Sequence, residues 1–188
     1  MRYLVGALGA LIILSSAAFV FLYIGWYDVA ATTPHWNMTT WFLGEIRDRS
    51  TAYQSKGIQA PPLKDPKWVK AGFDEYHAMC RLCHGAPGYP PTEIAQGLNP
   101  KPPKLASEEV QRRKEAELYW VVKNGIKMTG MPGFGPSHED NEMWAVVAFL
   151  RRLPNLQPRE YEAMAKEAEK IREGIHHQIH HHEKAKSH

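Results

Sequence analysis

Only two cysteines occur in 188 residues, Cys80 and Cys83, and both lie in one C-x-x-C-H stretch, Cys80-Arg81-Leu82-Cys83-His84. If that stretch uses both thiols, no structural disulfide can form. Early positive charge is also scarce, since the next Lys or Arg after Arg2 is Arg47, and no charged residue lies from Tyr3 to Tyr27. Formal net charge is only +3 and no basic stripe interleaved with aromatics is present, which argues against nucleic acid as a partner. There is no βαβ pattern to house a thioredoxin-type dithiol, and no second ligand pair to complete a zinc site. The reading left for C-x-x-C-H is covalent haem attachment, with the two thiols bonded to the porphyrin vinyl groups and His84 placed beneath the iron. The length suits one domain with extra segments rather than two full domains.

Leu4, Val5, Leu8, Leu11 to Leu14, Phe19 to Leu22 and Ile24 fill residues 1–27, enough for one helix across a bilayer core of ~30 Å. Tyr23, Trp26 and Tyr27 then stand where an interfacial aromatic belt is expected. The rival readings are a buried core helix and a cleaved signal peptide, for which Ser15 and Ala17 offer small residues, but the apolar run continues past them. A retained single-pass anchor is the expectation. With Arg2 before the span and Arg47 the first basic residue after it, the positive-inside rule puts the N-terminus in the cytoplasm and the rest outside. For a bacterial chain this means the inner membrane, with the haem domain in the periplasm.

Residues 28–64 read as a connector, in which Trp36, Met38, Trp41, Phe42, Leu43 and Ile46 predict a short amphipathic helix. It lies on the membrane, against a partner subunit, or on the haem domain itself. Gly57, Pro61 and Pro62 end the connector.

The domain proper spans residues 65–155. Asp65-Pro66 caps a helix that runs into the cysteines, with Gly72 and Tyr76 on one face. After His84 the prolines at 87, 90, 91, 100, 102 and 103 predict an extended loop whose carbonyls can orient the ring N–H of His84. A middle helix is expected from about Glu108 to Lys123, stopped by Asn124-Gly125. The stretch from Ile126 to Pro136 is too rich in glycine and proline for helix or strand, and suits a loop that carries a thioether across an open haem face. Methionine in such a loop is by default a flexible gap-filler. With a haem in the same domain, Met131 is the expected axial ligand and Met128 its competitor. Ser137, with Asp140 three residues on, predicts the cap of a closing helix carrying Met143, Trp144, Val146, Val147, Phe149 and Leu150, which Pro154 ends.

Residues 156–188 form a charged helical extension whose stripe is thin (Tyr161, Met164, Ala168, Ile171 and Ile175), as suits a partner-docking or partly solvated helix, followed by a histidine-rich tail. His176 with His180, and His177 with His181, would share helix faces and, with His182, could chelate a divalent transition metal; the base reading is a disordered polar tail.

In this order, helix, Cys80-x-x-Cys83-His84, proline-rich loop, middle helix, Met131-Pro132-Gly133-Phe134 and closing helix resemble class I cytochrome c over residues 65–155. The resemblance implies an all-α fold of three to four helices around one covalent haem c, flanked here by the transmembrane helix and the C-terminal extension. It implies that the first and last helices cross, Gly72 and Tyr76 meeting Val146 and Phe149. It also implies a proline carbonyl accepting from the ligand histidine, at Pro100, Pro102 or Pro103. Tyr27 to Ala31, Ile126 to Pro132 and the tail further resemble a group of bacterial membrane-anchored monohaem cytochromes, in which alanine is the commoner residue at the place of Gly133.

Filling both axial positions leaves the iron no vacancy for a substrate, and a soft thioether raises the potential. The expected role is thus a one-electron carrier and not an enzyme, passing electrons to and from redox partner proteins, either mobile on its tether or fixed as a subunit of a larger membrane complex. Lys101, Lys104, Lys123 and Lys127 flank both ligand loops and suggest a docking ring for acidic surfaces. The alternatives are a haem enzyme or gas binder with an open axial site, and a metal-handling protein that works through its tail.

Overall fold

The computed structural model describes residues 2–170, and among these the chain is helical with no strand. The histidine-rich tail, with His176, His177, His180, His181 and His182, lies outside the described residues, as do Ile171 and Ile175. Two compact units are present, Met1–His35 and Trp36–His188.

The first unit is one helix, α1 (Arg2–Tyr23), without a buried residue. Its 22 residues give about 33 Å at 1.5 Å per residue, long and apolar enough to cross a bilayer.

The second unit comprises α2 (Asn37–Gln54), α3 (Pro66–Glu75), a π-turn (Tyr76–Cys80), α4 (Arg81–His84), α5 (Glu93–Gln96), α6 (Glu108–Gln111), α7 (Glu115–Asn124), α8 (Asp140–Arg152) and a helix α9 over residues 158–170. Asp65 caps α3 by accepting from the backbone N–H of Lys67 at 3.0 Å, with Pro66 in the first turn, as its sequence predicts.

Packing between α3 and α8 forms the centre of the unit. A β-carbon on Gly72 would stand 1.9 Å from the carbonyl oxygen of Ala145 and 2.9 Å from the backbone nitrogen of Val146, so only glycine lets the two helices come this close. Tyr76 and Phe149 pack with ring centroids 5.0 Å apart, and Phe73 meets Phe149 edge-on at 5.5 Å. Such pairs add about 0.5–1.5 kcal/mol each beyond the burial of their area. The expected crossing of first and last helices is therefore present, on the expected residues.

Three local expectations are corrected. The middle helix is two helices, because the chain turns at Arg112 to Lys114. Arg151 on α8 holds that turn: its guanidinium donates to the carbonyls of Gln111 (2.7 Å) and Arg113 and to the Glu115 carboxylate (3.1 Å). Charge-assisted bonds of this kind are roughly twice as strong as neutral ones. Secondly, the capping box of α8 is Glu139 with Glu142, and not Ser137 with Asp140. Ser137 instead sits in a turn, its hydroxyl 2.9 Å from Nδ1 of His138. Thirdly, α9 is no loose extension. Tyr161 is fully buried, Leu156 and Ala165 are buried, and Tyr161 meets the rings of Phe73, Tyr89 and Phe149.

Candidate functional site

Cys80 ends the π-turn, in which the N–H of Arg81 reaches back five residues to the carbonyl of Tyr76. The wider turn lets the chain pass from the α3 axis into α4, which carries Cys83 and His84. Both thiols are free and half-buried. Apolar burial pushes the Cys80 thiol up to about 12, with Glu75 and Cys83 adding to it, so the unmodified side chain stays a neutral thiol.

Immediately after His84 the chain reverses. Gly85 takes φ +70°, and its carbonyl accepts the buried phenol of Tyr76 at 2.6 Å. Burial raises the Tyr76 pKa, which keeps this hydroxyl a donor. The Thr92 hydroxyl and backbone N–H both donate to the carbonyl of Leu82, at 2.8 and 2.9 Å. A tyrosine four residues before the first cysteine thus clamps the far side of the motif, a role that helical spacing alone does not disclose.

The proline-rich segment supplies the next piece. Nδ1 of His84 lies 2.8 Å from the carbonyl oxygen of Pro103. A carbonyl can only accept, so Nδ1 carries the proton and Nε2 of the neutral ring keeps its lone pair. Burial lowers the His84 pKa, and the Pro103 bond opposes that only in part. Of the three candidate prolines it is Pro103, and not Pro100 or Pro102, whose carbonyl meets His84.

On the methionine loop the two candidates part. Met128 is 94% exposed with φ +58°, whereas Met131 is half-buried. The Thr129 hydroxyl donates to the carbonyl of Ile126 (2.8 Å) and accepts from the N–H of Met131 (3.1 Å), and Ile126 donates to the carbonyl of Met131 (3.1 Å). Met131 is therefore set in a closed ring of hydrogen bonds. Thr129, two residues before it, was legible only as an ordinary turn former.

The same loop seals the end of α7. Phe134 and Gly135 donate to the carbonyls of Val122 and Lys123 at 3.0 and 2.9 Å. A β-carbon on Gly133 would stand 2.8 Å from the carbonyl carbon and oxygen of Asn124. Gly133 is thus where the loop presses on the helix end. At Gly130 the added carbon would meet Leu98 of the proline-rich segment at 2.6 Å, so the methionine loop and that segment touch.

The lysines divide. Lys101, Lys104 and Lys127 are exposed. Lys123 is engaged by Asp140 (2.6 Å) and by the Tyr119 hydroxyl (3.1 Å), which removes it from the suggested ring of open charges.

Among the described residues no cluster of three or more His, Cys, Asp or Glu is placed to hold a metal ion, so the two thiols find no partners for a zinc centre among them. Two free thiols, an imidazole whose outward nitrogen keeps its lone pair, and a thioether on a hydrogen-bonded loop are instead the donor set that suits a covalent haem.

With this helix crossing and this site, the chain carries a class I c-type cytochrome domain, whose chemistry is haem-based electron transfer. The family model that matches is described as cytochrome C oxidase, cbb3-type, subunit III, and it covers residues 68–150, from α3 to the end of the apolar face of α8. No curated protein matches the chain.

Proposed function

We propose that the protein is a membrane-anchored one-electron carrier, with one haem c bonded through Cys80 and Cys83 and held axially by His84 and Met131. The carrying observation is the contact of His84 with Pro103, which fixes the ring and its tautomer before any iron is bound. A haem c bound there supplies a one-electron couple, tuned by the imidazole and the thioether. Cys80 and Cys83 tether it, Tyr76 and Gly85 hold the turn between them and the proline-rich loop, and Thr129 presents Met131. Met128, turned to solvent, is not the ligand in this reading.

The apolar helix α1 supports membrane attachment. The lack of basic residues between Arg2 and Arg47 supports a cytoplasmic N-terminus, an inner-membrane anchor and a periplasmic haem domain. The matching family's description supports service as the c-type subunit of a membrane oxidase complex, and the exposed Lys101, Lys104 and Lys127 are available to acidic redox partners. Ligation decides this reading over an open-site enzyme. Ferric full-length protein should show the weak red-end band of thioether-ligated haem; Met131→Ala should remove it and Met128→Ala should leave it unchanged. Loss of the band in Met128→Ala alone, or its absence from the wild type, overturns the assignment.

A further inference from the structure

Helix α2 has two unlike sides. Gly44, Asp48, Thr51 and Ser55, the C-cap of the helix, recur at three- and four-residue spacing; Gly44 and Asp48 are half-buried, and Thr51 and Ser55 are 2% and 6% exposed. Asp48 accepts from Arg113, just before α7, at 2.7 Å. From Asp48 to Ser55 this narrow stripe of small and polar residues is the side laid on the rest of the domain, while a β-carbon on Gly44 would meet open space. The first half carries Met38, Phe42, Leu43 and Ile46 away from that stripe, with Trp41 on the flank beside Asp48 and Trp36 just before the helix, all 47% to 81% exposed. A contiguous apolar face of this size marks an interaction surface, unlike apolar residues scattered singly.

Charge is also graded along the axis. Between Asp28 and Glu45 there is no charged residue, and then Glu45, Arg47, Asp48 and Arg49 follow in quick succession. A helix that docks in a protein groove is read by anchors at i, i+3, i+4 and i+7. Here the apolar side chains spread beyond one such row, to Leu43 and Ile46, while Glu45 takes the i+7 place of Met38, and two indoles, whose amphipathic rings favour the headgroup level, sit among them.

We infer that the first half of α2 inserts this apolar face into the headgroup–acyl boundary of a lipid bilayer, so that the stripe from Asp48 to Ser55 holds the haem domain at the membrane surface. The inference rests on α1 being a membrane anchor. From Tyr23 to Trp36 the chain has thirteen steps, about 45 Å at full extension, so α2 cannot leave the neighbourhood of the surface that the anchor enters. A span alone leaves the domain to swing within that reach. A second, interfacial contact turns a tether into a fixed stance.

The test uses haem-loaded full-length protein in phosphatidylcholine vesicles with bromine placed on the acyl chains either near the headgroup or near the methyl end. The emission lost in a Trp36→Phe/Trp41→Phe double variant, taken by difference, reports those two indoles. It is expected to fall at least twofold with the shallow bromine and less with the deep one. Protein that floats with the vesicles at alkaline pH while this difference emission is quenched by neither bromine overturns the inference and leaves the anchor standing; cover by a second copy or by a partner protein gives that outcome. Protein that fails to float overturns both.

Discussion

The carbonyl oxygen of Pro103 and Nδ1 of His84 stand 2.8 Å apart across nineteen residues of chain. The bond couples the proline-rich loop to the attachment motif, so the stiffness of that loop sets how firmly the imidazole is held. Pro103→Gly keeps the carbonyl but frees its backbone. It should cost about 1 kcal/mol, through the added entropy of the unfolded chain. Guanidinium unfolding of the ferric protein, followed through the haem absorbance, checks this; an unchanged midpoint would mean the loop is held by other contacts.

Gly72→Ala should be far more damaging. Its new methyl would fall 1.9 Å from the Ala145 carbonyl oxygen, a backbone atom that cannot swing aside as a side chain can. Overpacking typically costs 1–3 kcal/mol, and here about 3 kcal/mol or more is expected, as α3 and α8 must separate. Thermal unfolding of the haem-loaded variant reads it directly, and a loss below about 1 kcal/mol would contradict the close crossing.

Much of this arrangement was legible in the sequence because it is written locally. The cap at Asp65, the spacing of Cys80, Cys83 and His84, the stop at Gly125 and the apolar face of α8 each signal within a few residues. What stayed hidden depends on partners far along the chain. The break at Arg112 to Lys114 is imposed by Arg151, from another helix. The thin stripe of α9 looked solvated because the sequence does not reveal that Tyr161 enters a ring cluster with Phe73 and Phe149. Composition reduced the carbonyl partner of His84 to three prolines, and only the path of the loop selects Pro103.

Gly133→Ala tests the methionine loop. In this chain the added methyl would press on the carbonyl of Asn124 and push the loop off the end of α7. The weak red-end band of the ferric protein should lose intensity and disappear at a lower temperature than in the wild type. An unaltered band with raised stability would show that α7 yields instead.

Asp48 gives the seating of α2 a pH dependence. Burial acts to raise its carboxyl, but hydrogen bonds from Arg47 and Arg113 outweigh that and hold it below the usual carboxylate range. A depressed folded-state pKa contributes stability that is present above the unfolded value and lost as pH falls through the folded one. The backbone amides of α2 should therefore lose protection, relative to their intrinsic exchange rates, as the pH falls, by a small factor because the pair is partly solvated, and Asp48→Asn should be less protected already at neutral pH. Exchange in the variant matching wild type at pH 7 would sever the link between this carboxylate and the helix.

Carbon monoxide reaches the core of the proposal most directly. Added to the ferrous, folded, full-length protein, it should leave the haem spectrum unchanged until Met131 is removed, whereupon Met131→Ala should take it up. Prompt uptake by the wild type, with the fold intact, would mean that the sixth position is open and that the protein is built to bind or transform a small molecule instead of relaying an electron.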